Sequence, residues 1–413
     1  MEERRVVITG VGVIAPNGIG IDNFWDSLVR GRSGVRKITH FDASSYPSKV
    51  AGEVKDFDPL NFMPPKSARR MDRFAQFAAA CTRMALDDAN LGDTDRKSDR
   101  TGIALGSALG GIPSAEEQHS VFIEKGLNRV DPLLAIKIFP GGALGQVSVE
   151  FGIRGHSNTI SSACAAGSDS VGYAFYVIKN DLADVMITGG AEAPIVPLTF
   201  GAFCLISALS TRNGDPTKAS RPFDKERDGF VMGEGAGILI LESLEHAIER
   251  DAHIYGEVLS YGTTNDAYHM AQPLPTGDQA RKAMELALQA AKIDPSEIDY
   301  INAHGSSTVL NDKTETKIIK QVFGERSYKI PISSNKSMIG HALGAAGSIE
   351  LIASALTIKH QFIPPTINYE FLDPECDLDY VPNNGRKALV KTVLKNSHGF
   401  GGKNSVLIIR KYG

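Results

Sequence analysis

Of the four cysteines in the 413-residue chain, Cys164 is the one placed to do chemistry. It lies in Ser161-Ser162-Ala163-Cys164-Ala165-Ala166-Gly167-Ser168, where a strand turns into a small-residue helix. A thiol at a helix N-terminus faces unsatisfied N–H groups and the positive end of the macrodipole, which predicts a pKa below the free value of about 8.5 and a nucleophile. The alternative is a small, buried, apolar cysteine. Cys81, Cys204 and Cys376, which lack such a turn, take that second reading. Two histidines sit in comparable turns: His304 in Asn302-Ala303-His304-Gly305-Ser306-Ser307-Thr308, and His341 in Ser337-Met338-Ile339-Gly340-His341-Ala342-Leu343-Gly344. Glycine beside each lets backbone and ligand approach closely. Either alone also fits a structural histidine, and without HExxH or a carboxylate at ligand spacing a zinc site is disfavoured. A thiol and two imidazoles from separate glycine turns suggest one thioester-processing pocket.

A fourth motif, Asn396-Ser397-His398-Gly399-Phe400-Gly401-Gly402-Lys403-Asn404, is a glycine-rich loop between two strands. Its amides suit an oxyanion hole, and Phe400 between glycines suits a gate; the alternative is an ordinary hairpin turn. A phosphate cradle is disfavoured because no GK[ST] helix start follows.

The elements holding these motifs alternate. Residues 6–9, 103–106, 185–189, 238–241 and 300–303 read as strands, and residues 72–91, 164–180, 279–291 and 344–360 as helices. This predicts an α/β protein whose alanine-rich helices pack on buried sheets. Ala165-Ala166-Gly167-Ser168 recurs 180 residues later as Ala345-Ala346-Gly347-Ser348, each copy opening an apolar helix after a strand. Two halves of similar topology are expected, 1–250 carrying the thiol and 251–413 carrying the histidines and the glycine-rich loop. Residues 242–250 read as a surface helix and 253–261 as the strand that opens the second half. The polar stretch 211–229 is either a surface loop or a structured excursion over a site.

Composition narrows the function. Hydrophobic residues at 42% and charged residues at 22% match a globular chain. Lys and Arg number 44 against 48 Asp and Glu, a net charge of −4, so no basic field favours nucleic acid and an acidic partner needs a local patch. Cysteines without a CxxC pair fit a reducing compartment. Met1-Glu2-Glu3-Arg4-Arg5 leads straight into the first strand, and no run of 18 apolar residues occurs, so a cytoplasmic protein without membrane association is expected.

Together these motifs resemble the β-ketoacyl-[acyl carrier protein] synthases of the thiolase superfamily, most closely the synthase II type. The likeness spans the chain: residues 5–20, Ser210-Thr211-Arg212-Asn213, Ser220-Arg221-Pro222-Phe223-Asp224, Arg227-Asp228-Gly229-Phe230-Val231, the His304 segment, residues 336–350 and the 396–404 loop. It implies a thiolase-like, five-layered αβαβα fold from two duplicated halves, and decarboxylative condensation of a cysteine-bound acyl group with malonyl carrier protein. It implies Cys164 as acyl acceptor, with the N–H groups of Cys164 and Phe400 holding the thioester oxygen. His304 and His341 match the pair at which malonyl loses carbon dioxide. Lys336 matches the lysine ordering that site, paired with Glu350. Leu109, Ala163 and Phe203 match acyl-pocket positions, and Ser306 and Thr308 match substrate-binding hydroxyls. Lys66, Arg69 and Arg70, extended by Arg129, match a docking patch for acidic acyl carrier protein. No metal or resident cofactor is implied, because the substrates ride on the carrier's phosphopantetheine. The resemblance also implies a homodimer, or a heterodimer with a chain-length factor.

Several positions depart from the family pattern. His398 replaces a phenylalanine, Lys403 a threonine, Ser306 a threonine and Ser207 a docking arginine, while residues 133–136 replace a phenylalanine-rich segment. These touch gate, acyl pocket and docking surface, and keep a type II polyketide or polyene ketosynthase as the alternative. A thiolase would place a second cysteine near the C-terminal loop, where this chain has His398. A silent chain-length subunit would lack the active cysteine.

Overall fold

The computed structural model describes residues 4–413; Met1–Glu3 of the N-terminal stretch lie outside it. Ten strands form the framework: β1 (Val6–Ala15), β2 (Thr101–Gly106), β3 (Ser157–Ile160), β4 (Val185–Glu192), β5 (Gly235–Ser243), β6 (Gly256–Asn265), β7 (Tyr300–Asn302), β8 (Ile332–Ser333), β9 (Thr392–Gly399) and β10 (Lys403–Arg410). They run across one sheet as β8-β7-β9-β10-β6-β1-β5-β4-β2-β3, with the short strand Gly18–Ile19 added on β1. From the central β6–β1 pairing outward, the strand order of one half repeats that of the other. Counted from the edge inward, the strands of each half follow in their own sequence order as third, second, fourth, fifth, first. Crossover pairs such as β2–β4 and β7–β9 are parallel, and β1–β5 and β9–β10 are antiparallel.

The helices complete five layers. On one outer face α1 (Arg73–Asp88) packs against β1 and β5, with α2 (Gly141–Phe151) beside it. In the middle lie α3 (Ala166–Lys179) and α8 (Leu343–His360), with α4 (Pro197–Leu205) between them in the chain; on the far face α5 (Asp278–Ala291) packs on β6 and β10 and against α6 (Val309–Phe323). The short α7 (Lys336–Ile339) leads into α8 (Leu343–His360), which touches strands of both halves and α3. Every α8 residue from Leu343 to Ile358 is buried, which accounts for its apolar, small-residue composition and its lack of a polar face. No helix among the described residues is long and apolar enough to cross a membrane.

Several boundaries differ from expectation. The first strand continues to Ala15 because all ten of its residues are buried, as suits a strand at the centre of the sheet. Residues 242–250 are not all surface helix: Glu242 and Ser243 end β5 in the interior, and the helix covers only Leu244–Glu249. Glu242 is held by Arg250 and His246 (Nδ1 to Oε2, 2.6 Å), a pairing that periodicity does not show. The stretch 211–229 is a structured excursion: Ser220 Oγ donates to Lys336 O at 2.7 Å, Arg221 N to Ser307 Oγ at 3.0 Å, and Arg227 pairs with Asp373.

Candidate active site

Cys164 sits in a tight 3-10 turn, Ala163–Ala165, just ahead of α3, and Ala163 takes a left-handed φ of 50° to make that turn. Glycine at position 399, ending β9, lets the C-terminal hairpin close onto the turn: a Cβ there would lie 3.2 Å from the Cys164 nitrogen. Main-chain N–H groups of Phe400 and Cys164 converge on the sulfur. Cys164 as a residue is 8% exposed, and burial pushes the thiol pKa up to about 12 despite those donors and Lys336. The lowered pKa expected from a helix terminus is therefore not found. Desolvation outweighs the local dipoles, and α3 proper begins only at Ala166.

His304 follows β7 in a turn fixed from three sides. Its N–H and that of Gly305 donate to the two carboxylate oxygens of Glu315 on α6, both at 2.8 Å. Ser334 Oγ donates to Gly305 O at 2.7 Å, and Lys336 Nζ to His304 O at 2.6 Å. His341 is held by its backbone, with N–H to Val231 O at 2.7 Å and its own carbonyl accepting from Gly233. The two imidazole centroids are 5.2 Å apart with planes at 82°. Both Nδ1 atoms are buried without a partner, which leaves Nε2 as the nitrogen at the cavity surface. Burial, reinforced by the Lys336 and Lys395 charges, holds both imidazoles well below the usual histidine pKa, so both are uncharged near neutrality.

These groups meet in one cavity of about 340 Å³, whose wall includes Cys164, His304, His341, His398, Phe203 and Phe400. Ser306 and Thr308 line it and share a 2.9 Å hydrogen bond between hydroxyls. Phe203 stacks on Phe400 at 6.1 Å and meets Phe230 edge-on, and Phe230 meets His341 edge-on. The hairpin is tight, with Gly399 paired to Lys403 across a Phe400-Gly401-Gly402 turn; it is an ordinary hairpin and a wall of the cavity at once.

Two expected pocket residues lie off this wall. Leu109 packs with Cys164, Phe203 and Leu343 in an apolar cluster next to it, and Ala163 shapes the turn through its backbone. Lys66, Arg69 and Arg70 are exposed on the helix Pro65–Arg70, and Arg129 is exposed on a separate turn. Ser207 also lines the cavity. Lys336 pairs with Glu350, as the resemblance implies. Sequence reasoning passed over Glu315, Glu192 and Lys395. A lysine inside the apolar run Val393-Leu394-Lys395 was the available signal for the last.

Fold and cavity define a thiolase-like ketosynthase. The model of the β-ketoacyl synthase N-terminal domain matches residues 3–247 and that of the C-terminal domain residues 255–370, so the chain belongs to the β-ketoacyl synthase family. It is 47% identical to 3-oxoacyl-[acyl-carrier-protein] synthase 2 of Synechocystis sp., covering 100% of this chain and 99% of that protein. The protein of the same name from Staphylococcus aureus is 46% identical with the same coverage. Among solved structures, the AntDE ketosynthase bound to its type II polyketide acyl carrier protein and hexaketide superposes with a TM-score of 0.92 at 40% identity. The ishigamide ketosynthase/chain length factor gives 0.93 at 40%; both cover 100% of each chain.

Proposed function

We propose that this protein elongates fatty acyl chains by condensing a Cys164-bound acyl group with malonyl-[acyl carrier protein], releasing CO2 and a 3-oxoacyl-[acyl carrier protein]. The observation that carries the reading is one cavity holding a thiol and two uncharged imidazoles. In the first half-reaction the Cys164 sulfur attacks the carrier thioester, the new C–S bond replaces the old one, and the thiol proton leaves on the carrier's phosphopantetheine sulfur. The N–H groups of Cys164 and Phe400 stabilise the tetrahedral oxyanion. In the second, the malonyl C–C bond breaks, its electron pair becomes an enolate, and Nε2–H donors of His304 and His341 hold the growing charge on the thioester oxygen. The enolate carbon then attacks the acyl-enzyme carbonyl, the new C–C bond forms as the C–S bond breaks, and the departing Cys164 thiolate takes a proton from water to restore the thiol. Lys336, tied to Glu350, positions the His304 turn through its carbonyl.

Ser306, Thr308 and Phe203 contact substrate, with Leu109 and Ala163 behind them, and Lys66, Arg69, Arg70 and Arg129 dock the carrier. The chemistry needs no metal or resident cofactor. Exposed Phe122, Ile123, Leu127 and Phe139 support a dimer, with a second copy or a chain-length factor. The halves are taken as residues 1–250 and 251–413, and the compartment as the cytoplasm. A type II polyketide pathway is the second reading, favoured by His398 and Lys403 on the cavity wall. Reconstitution with carboxyl-labelled malonyl carrier protein and acyl primers tests the reaction: labelled CO2 should appear one-for-one with 3-oxoacyl product, and CO2 without product, or neither, would overturn it.

A further inference from the structure

Beneath the histidine pair lies a cluster of buried charges in which Lys336 and Glu350 are joined by Lys395, a residue the condensation as described does not use. Lys336, Lys395 and Glu350 are all fully buried. One oxygen of Glu350 is taken by Lys336 Nζ, and the other lies 3.1 Å from Lys395 Nζ. Lys395 projects from β9 at the register of Asn302 on β7. Its ammonium also donates to Ser168 Oγ on α3 at 3.1 Å and to Ser397, and those two hydroxyls bond each other at 2.9 Å. One side chain thus ties together α3 behind Cys164, the strand that leads into Phe400, and the Lys336–Glu350 pair.

The charge count is unusual. Two ammonium groups share the Glu350 carboxylate at contact distance, while the second buried carboxylate, Glu315, acts on Lys395 only through space, so four charges are held in the interior at a desolvation cost. Burial pulls the Lys395 pKa down to about 8, so it remains largely charged at neutral pH. The groups facing the imidazoles are Lys336 and Glu350 from the middle layer, Lys395 and His398 from β9, and Glu315 from α6. Glu315 is occupied by the His304 and Gly305 N–H groups and by Asn396 Nδ2 at 3.1 Å. These neutral donors leave the Glu315 charge in place, and it offsets part of the lysine charge from a distance; Lys336 and Lys395 nonetheless both act, after burial, to disfavour the charged forms of His304 and His341.

We propose that Lys395 is a second positioning lysine of this site, whose charge beside Glu350 adds to burial and to Lys336 in keeping His304 and His341 uncharged, while its hydroxyl contacts tie α3 to the strand that leads into Phe400. The proposal rests on the condensation reading for its kinetic arm only. Without the cation, protonation of an imidazole meets less repulsion, and acid titration of the pair begins at higher pH.

The test compares wild type, Lys395→Met and Lys395→Arg by thermal unfolding, by NMR titration of ¹⁵N-labelled histidine, and by the pH profile of malonyl-carrier decarboxylation. Lys395→Met keeps the Lys336–Glu350 pair and loses the contacts to Ser168 and Ser397, so its melting temperature reads the structural part of the role alone. The midpoint of at least one of the two imidazoles should rise by about one pH unit, and the acid limb of decarboxylation should move with it. Lys395→Arg should return the limb toward wild type. A folded Lys395→Met with unshifted imidazoles and an unshifted limb overturns the proposal, as does a lowered melting temperature with no titration change. If Lys395→Met does not fold, Lys395→Gln is read by the same criteria. Absence of CO2 release from wild type would count against the condensation reading instead, and the NMR arm would still decide the role of Lys395.

Discussion

The repeated segments Ala165-Ala166-Gly167-Ser168 and Ala345-Ala346-Gly347-Ser348 face each other at the centre of the molecule. A Cβ on Gly167 would lie 2.8 Å from Gly344 O and 3.1 Å from the Ser348 nitrogen, and one on Gly347 would lie 2.8 Å from the Ser168 nitrogen. The contacts are reciprocal, as a pseudo-twofold axis between the halves requires. By the same spacing Cys164 corresponds to Gly344, and the surroundings of those two positions are opposite. Cys164 meets Gly399 at the end of β9, a residue without a side chain, and opens onto the cavity. Gly344 meets Glu192 at the end of β4, whose buried carboxylate accepts N–H groups from Ala108 at 2.7 Å, Leu109 at 3.1 Å and Gly344 at 3.0 Å. Burial pushes the Glu192 pKa up to about 7. Duplication therefore built two similar niches: one keeps space for chemistry, and in the other a carboxylate fills it and holds the frame.

The largest effect should come from emptying the open niche. Cys164→Ala is expected to abolish acyl transfer, by at least about 10⁴-fold, with folding intact, since the residue only loses sulfur at a cavity wall. Acyl-enzyme detection by intact mass checks this, and wild-type condensation by the variant would remove the nucleophile assignment. Next, His304→Ala or His341→Ala should each slow malonyl decarboxylation by about 10²- to 10³-fold, the cost of one oxyanion donor. Carbon dioxide release reads it directly, and Cys164 acylation should continue in both variants.

The filled niche should respond in stability instead. In Gly344→Ala the new methyl overlaps the Ala108 N–H and the Glu192 carboxylate, so a loss of about 1–3 kcal/mol is expected in denaturant unfolding. Gly399→Ala, whose Cβ would be 3.2 Å from the Cys164 nitrogen, should cost less stability and more acylation rate. Equal stability losses in the two variants would erase the contrast between the niches. The smallest expected effect is a flat response to acid. Because both imidazoles are held below the ordinary histidine value, the neutral form persists as pH falls, and the decarboxylation rate should show no inflection near pH 6.5. An inflection there would mean that at least one ring is exposed to ordinary solvation.

Much of this was legible in the chain. The Cys164, His304, His341 and 396–404 segments all announce themselves by glycine or small residues at turns, and the structure brings them to one cavity. The 180-residue repeat pointed to the duplication because close packing of α3 on α8 admits only small residues at the contact. What stayed hidden depends on three-dimensional burial. The raised Cys164 pKa follows from how the hairpin closes over the sulfur, which no local pattern records. Glu315, Glu192 and Lys395 look like ordinary charged residues, and their roles arise only where backbone amides and other charges converge on them. Glu242 was misplaced on a surface helix for the same reason: its partners Arg250 and His246 make a buried carboxylate tolerable.

The most direct test of the shared cavity is peptide mass spectrometry of the enzyme sampled during turnover with an acyl-carrier primer and carboxyl-labelled malonyl carrier. The acyl mass should sit on the Cys164 peptide alone, and should vanish in step with labelled CO2 release and 3-oxoacyl formation. Product forming while Cys164 stays unmodified, or an acyl group carried on Cys81, Cys204 or Cys376, would contradict it.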